Sequence, residues 1–326
     1  MTVSNEGRSN GGEANSVKDL DKLEIVHHCQ QPGSDFQRRA RLLQSIWREQ
    51  QGYEMGVHRG RSLGSRLRWP WAKETRANYL TETIREVVRD EVTPQAKAEG
   101  KLYGEPRVWN DLLSSQPLCF NLFGELKRDL ALATAALHDL DGRVREVTGI
   151  EFEYSPGRSD LKHLGDRSAF DVFVRYETQT RGRGFLGIEV KYHEDLRGKP
   201  GRHRTRYEEV AREMGCFADP CSQALREMPL QQIWRDHLLA GATKGEDGYD
   251  EGVFVFLRPR GNEACAKAVA TYRECLTRHD AFAECILEDV VEAIQAHTDT
   301  PWVGLFFDRY LDFGKVNAAL AALDGA

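Results

Sequence analysis

The chain has 326 residues, 40% of them hydrophobic and 29% charged, the make-up of an ordinary globular protein with room for one large domain or two smaller ones. Its net charge of −6 excludes a uniformly basic surface, although a local basic footprint for nucleic acid remains compatible with it. No apolar run approaches the roughly 18 residues of a membrane span, and the polar, acid-containing start lacks a signal-peptide pattern, so a cytoplasmic protein is expected.

Seven cysteines, an odd number without a Cys-x-x-Cys pair, argue against both a disulfide framework and a structural zinc. Residues 1–34 are rich in Ser, Asn, Gly and acidic side chains and read as a disordered tail. Leu20, Leu23, Ile25 and Val26 form a short docking segment within it. After a cap at Ser34 or Asp35, Leu42, Leu43, Ile46 and Trp47 stand at helical spacing. Residues 52–72 read as a loop carrying Arg59, Arg61, Arg66 and Arg68 beside Trp69 and Trp71. Such interleaving suits phosphate and base contact, and suits equally a loop pinned to the core by its tryptophans. A helix over 78–90 follows, with Leu80, Ile84, Val87 and Val88 as its apolar stripe. Residues 35–110 thus make a helical, Arg- and Trp-rich N-terminal region, and 111–326 the main core.

Within that core, 118–140 reads as one long helix, with Glu125 beside the stripe of Leu122, Leu126, Leu130, Ala133 and Leu137. Residues 147–154 alternate and make a first strand, with Glu151 and Glu153 facing away from Ile150, Phe152 and Tyr154. Two further strands, FDVFVRY (170–176) and GFLGIEVKY (184–192), flank the polar segment ETQTRGR, which suits a hairpin loop. If the hairpin is symmetric about Thr180, Asp171 lies opposite Glu189 and both project from one face with Lys191. Directly opposed residues have Cβ atoms roughly 5 Å apart, and like charges there destabilise the pair. A hard divalent cation would offset that repulsion, and Lys191 adds a second positive charge. An acid facing Glu-x-Lys across a solvated sheet is the plainer alternative.

Beyond Lys191 runs a basic stretch with Arg197, Lys199, Arg202, Arg204 and Arg206, placed to meet a polyanion backbone at the strand end. Helices are expected over 207–217 and 222–240, the second carrying Gln232 next to Ile233 and Trp234. GVFVFL (252–257) reads as a strand covered on both faces. Helices over 263–278 and 281–297, a buried strand WVGLFF (302–307) and a short helix over 315–323 complete a mixed α/β sandwich. No Walker loop, Gly-x-Gly-x-x-Gly or Gly-x-Ser-x-Gly occurs.

The succession of Asp171 on one strand, a loop, and Glu189-x-Lys191 on the next resembles the PD-(D/E)XK nuclease superfamily, with Phe170 where the pattern has proline. SSQPLCFNLFGEL (114–126) and GFLGIEVKY also look like a bacterial family of restriction endonucleases. The resemblance implies a restriction-endonuclease-like mixed β-sheet flanked by helices, with an N-terminal helical extension. It implies Asp171 and Glu189 as ligands of Mg²⁺ (or Mn²⁺), the Val190 carbonyl completing the coordination, and Lys191 positioning water or phosphate. Glu125 and Glu153 are its candidates for an outer acid, and Gln232 for a substrate-orienting group. Arg197, Lys199, Arg202, Arg204, Arg206, Arg66 and Arg68 would bind nucleic acid, DNA in preference to RNA. The implied activity is a Mg²⁺-dependent DNA endonuclease of restriction or defence type, with a homodimer open by analogy. The alternatives are a non-catalytic nucleic-acid-binding scaffold on the same fold and a metal-dependent enzyme acting on small phosphoesters.

Overall fold

The computed structural model describes residues 10–324. The chain divides into two compact units that interleave in sequence, rather than splitting at residue 110. One comprises the residues up to Asn78, with Trp109–Leu113 and the stretch from Phe307; the other comprises Tyr79–Val108 and Ser114–Phe306.

The first unit begins with a helix, Asn10–Val26, where a disordered tail was expected; residues 1–9 of that expectation lie outside the described residues. Leu20 and Leu23 are buried with Leu42, Leu43 and Val316, whereas Ile25 and Val26 are exposed. A helix of low amphipathic contrast is hard to read from composition alone, because what fixes it is packing supplied from distant sequence. The Asp35–Gln50 helix starts at Ser34, whose hydroxyl accepts from Gln37 N while the Gln37 side chain accepts from Ser34 N. This reciprocal pair satisfies two otherwise orphaned donors.

The expected loop over 52–72 is instead largely an antiparallel hairpin, β1 (Met55–His58) and β2 (Arg61–Leu67). Its strands are rich in Gly, Ser and Arg, so alternation is faint. The turn is made by Arg59 and Gly60, both at positive φ (50° and 77°), as a two-residue primed turn requires. A buried guanidinium ties this unit together: Arg309 donates to the Asn78 carbonyl (2.6 Å) and to Gln44 Oε1 (3.2 Å), and lies 4.4 Å from the Trp47 ring centre.

WVGLFF, expected as a strand, lies in a helix, Pro301–Tyr310. Trp302, Val303, Phe306 and Tyr310 are buried while Leu305 and Phe307 are exposed, a helical rather than a two-residue period. Short apolar runs leave that choice open in sequence, and Pro301 stands where helices accept proline.

The second unit is built on a five-stranded sheet in the order β3 (Val144–Tyr154), β4 (Phe170–Thr178), β5 (Arg183–Val190), β6 (Glu251–Arg258) and β7 (Phe282–Ile286). The first three strands are antiparallel, and β5, β6 and β7 are parallel. β7 lies inside the region expected as a helix over 281–297; only its later part, Leu287–Gln295, is helical. The expected helix over 118–140 is two helices, Ser115–Arg128 and Leu130–Leu140. Asp129 breaks it and caps the second, its carboxylate accepting from Leu132 N at 2.9 Å.

One sheet face carries Phe173, Phe185, Phe254 and Phe256, packed with Ile233, Trp234 and Leu238 of the Leu230–Glu246 helix and with Val269 and Tyr272 of the Glu263–Glu274 helix. On the other face Leu186, Ile188, Val255 and Leu257 border a small cavity with Phe123, Leu137 and Val290. Helices therefore cover both faces, the arrangement that makes near-continuous apolar strands such as GVFVFL stable.

Candidate active site

The β4–β5 hairpin follows the symmetric register, from Glu177↔Arg183 at the loop to Val172↔Ile188. That ladder ends one residue short of Asp171 and Glu189. Instead of pairing main chain to main chain there, Asp171 turns its carboxylate to accept from Val190 N at 2.8 Å. Gly187 makes room for this end of the hairpin. A Cβ on it would lie 2.5 Å from the Phe170 ring, so the ring covers the strand where any side chain would exclude it.

β5 continues past its last residue, since Lys191 N donates to the Leu257 carbonyl at 2.8 Å. This fixes Lys191 on the same side as Glu189, and both are buried, 7% and 6% exposed. Lys191 Nζ donates to Glu189 Oε1. Gln232 Nε2, from the Leu230–Glu246 helix, donates to that same oxygen at 2.7 Å. One turn further along the helix, Asp236 is buried as well, with one carboxylate oxygen lacking a hydrogen-bond partner.

Electrostatically the cluster is a lysine among acids. Burial pushes the Asp171 carboxyl well above its ordinary range, and the neighbouring Glu189 adds to this while Lys191 opposes it. Asp236 is raised for the same reasons, burial first and then Glu189. Burial alone would lower the Lys191 ammonium, but Glu189, Glu194 and Asp171 outweigh it and hold the group charged. Glu194 receives Tyr192 N at 2.8 Å. Despite its burial, His193, Lys191 and backbone amides keep its carboxyl below the usual range.

Of the two outer acids expected from sequence, Glu153 stands at the site. It borders a small cavity shared with Asp171, Gln116 and Cys119, and Gln116 Nε2 donates to it at 2.6 Å. Burial raises its carboxyl, the Gln116 bond opposes this and Glu189 reinforces it. Glu125 points elsewhere: it accepts from the hydroxyl of Thr81, which caps the Glu82–Glu91 helix.

The basic residues divide in the same way. Lys199, Arg202 and Arg204 are exposed and make no ion pair among the described residues, and Arg197 is exposed beside Asp195 at 3.6 Å. Arg206 is committed to the fold, bonded to Glu213 and to the carbonyls of His163 and Lys162. In the first unit Arg66 holds Asp111 at 2.7 Å and Arg68 holds Glu54 at 2.9 Å.

Glu194 and Asp236 escaped the sequence reading. Glu194 lies past the strand, where no alternation points to it. Asp236 did leave a signal, the four-residue spacing from Gln232 that puts both on one helix face.

Among the described residues no three His, Cys, Asp or Glu side chains converge as a ready metal cage. The donor set nevertheless fits Mg²⁺, which keeps several waters and takes only one or two protein carboxylates. Asp171 and Glu189 supply that number, and their mutual repulsion is what a cation would relieve.

A mixed sheet whose antiparallel hairpin ends in two carboxylates and a buried lysine defines a restriction-endonuclease-like α/β protein. The chain belongs to the PD-(D/E)XK nuclease superfamily, whose family model matches residues 31–312. Members are typically metal-dependent nucleases that act on phosphodiester bonds. No curated protein and no solved structure matches the chain. No helix among the described residues is long and apolar enough to cross a membrane.

Proposed function

We propose that the chain is a Mg²⁺-dependent endonuclease that cleaves DNA, of the restriction or defence type. The observation that carries the reading is the meeting of Asp171, Glu189 and Lys191 at the end of one hairpin, two acids and a charged lysine in a largely water-excluded cluster. Asp171, Glu189 and the Val190 carbonyl would hold the metal. When bound, Mg²⁺ neutralises a non-bridging phosphate oxygen and lowers the pKa of its water.

The protein's own groups do the rest. Lys191, held charged by its acidic neighbours, presents an ammonium to the attacking water or to the scissile phosphate. Gln232 fixes the Glu189 carboxylate through the 2.7 Å bond, so that its second oxygen keeps one direction. Glu153 serves as an outer acid, facing the cavity that Asp171 also borders. Arg197, Lys199, Arg202 and Arg204 follow directly on the lysine strand and contact the backbone on either side of the cut.

The test is incubation of plasmid, linear duplex and single-stranded DNA with the protein in Mg²⁺ and in EDTA, alongside Glu189→Gln and Lys191→Ala. Cleavage that needs Mg²⁺ and falls at least about 100-fold in both variants is expected. Variants that cut as fast as wild type refute the assignment. A wild type that binds DNA but never cuts it, and binds no Mg²⁺ by calorimetry, identifies a scaffold instead.

A further inference from the structure

The first unit carries a second basic site, remote in character from the acidic cluster. A cleft of about 910 Å³ is bordered by His28, Gln30 and Gln31 from the segment after the first helix and by His58, Arg59 and Arg61 from the β1–β2 hairpin. Among the described residues that line it, none is acidic. Most arginines of this unit are spoken for: Arg38, Arg39, Arg48, Arg66 and Arg68 hold carboxylates, and Arg41 and Arg309 donate to main-chain carbonyls. Arg59 and Arg61 are exposed, and neither guanidinium makes a side-chain hydrogen bond or ion pair among the described residues.

The turn sharpens the point. Arg59 occupies a left-handed conformation, φ 50°, at the position where a primed hairpin turn before glycine favours asparagine or aspartate. An arginine there weakens the local turn, and among the described residues it gains no hydrogen bond or ion pair that would compensate. His28, which also borders the cleft, is left-handed as well at φ 51°. The turn calls for the positive φ at Arg59 but not for an arginine to adopt it, and a residue type that the local fold does not favour points to a role outside the turn.

We propose that this cleft binds the phosphodiester backbone of a polynucleotide, with Arg59 and Arg61 on phosphates and the Gln30 and Gln31 amides as further donors. The cleft is far larger than one phosphate group requires. An exposed Val57 (59%) on the same hairpin offers apolar contact to sugar edges, and a two-stranded ribbon is an element that a nucleic-acid groove admits. The inference rests on nucleic acid being the substrate, and is independent of cleavage.

The experiment measures binding of fluorescein-labelled duplex DNA and duplex RNA of one sequence in EDTA, by anisotropy, over a range of salt. Arg59→Asn combined with Arg61→Gln removes both charges while supplying an Asn-Gly turn, so the melting temperature is expected not to fall. Affinity about tenfold weaker at low salt is expected for whichever duplex binds. The salt dependence of log K should also flatten by about 1.8, from two lost contacts at 0.9 each. Unchanged affinity and slope with both duplexes overturn the cleft assignment. A wild type that binds neither duplex refutes the nucleic-acid reading itself, which keeps the two failures apart.

Discussion

Replacing Lys191 by methionine tests the electrostatics of the cluster without reference to catalysis. Lys191 and Glu189 are 7% and 6% exposed, so solvent screens neither, and Asp171, Glu153, Glu194 and Asp236 all act on one or the other. Removing the ammonium leaves Glu189 beside Asp171 with the Gln232 amide and the charge of Arg235 for support. Breaking a buried pair by deleting one partner costs about 3–5 kcal/mol, a large part of the roughly 5–15 kcal/mol that holds a domain folded. Glu189→Gln combined with Lys191→Met removes both charges and keeps the Gln232 hydrogen bond, so it should lose far less. Urea denaturation in EDTA, followed by circular dichroism, reads the difference. With a slope of about 1–3 kcal/mol per molar, the single variant should melt at least about 1 M earlier than wild type. Adding Mg²⁺ should recover part of the loss, because a ligand of the native state stabilises it by mass action. A single variant as stable as wild type, or a double variant weaker than the single, refutes the reasoning.

Two further outcomes follow from the same structure. His237 is fully buried, bonded to the Tyr272 hydroxyl at 2.8 Å, and burial pushes its pKa down to about 3 from 6.5. Above the unfolded value both states are neutral and the residue contributes no pH dependence. As pH falls below it the unfolded chain takes up a proton that the native core refuses, so stability drops by about 1.36 kcal/mol per unit until about pH 3. At about pH 4.5 this is roughly 2.7 kcal/mol, and His237→Phe should remove it; equal pH slopes for the two proteins in denaturant titrations would contradict the assignment. The outer acids separate by kinetics: Glu153→Gln should slow Mg²⁺-dependent cleavage at least about tenfold, whereas Glu125→Gln should cut at the wild-type rate. The reverse pattern in initial rates would move the site onto the Ser115–Arg128 helix.

What the sequence discloses and what it hides follow from where each restraint comes from. The β4–β5 register is legible because alternation and a short polar loop centred on Thr180 are local, and these alone bring Asp171 and Glu189 to one strand end. Local reasoning also carried Lys191, two residues along the same face. It could not tell that Asp171 leaves the ladder and accepts from Val190 N, because alternation fixes the face of a side chain and not which backbone donor it reaches. Nor could it choose between Glu125 and Glu153, since both are acids near an apolar face and only the packing of Thr81 and Gln116 separates them. The exchange of strand and helix between 282–286 and 301–310 has a similar origin. Short, largely apolar stretches fit either period until their neighbours supply the second half of the pattern.

The Arg309 contacts bear on how the polypeptide emerges during synthesis. Its guanidinium bonds to Asn78, 231 positions earlier, and its main-chain carbonyl receives Gln44 Nε2 at 2.7 Å. At a ribosomal pace of about 5–20 residues per second, on the order of ten to fifty seconds pass between translation of Asn78 and that of its partner. During that interval Leu42, Leu43 and Trp47 await their cover, a window in which a holding chaperone or an early aggregate would compete for them.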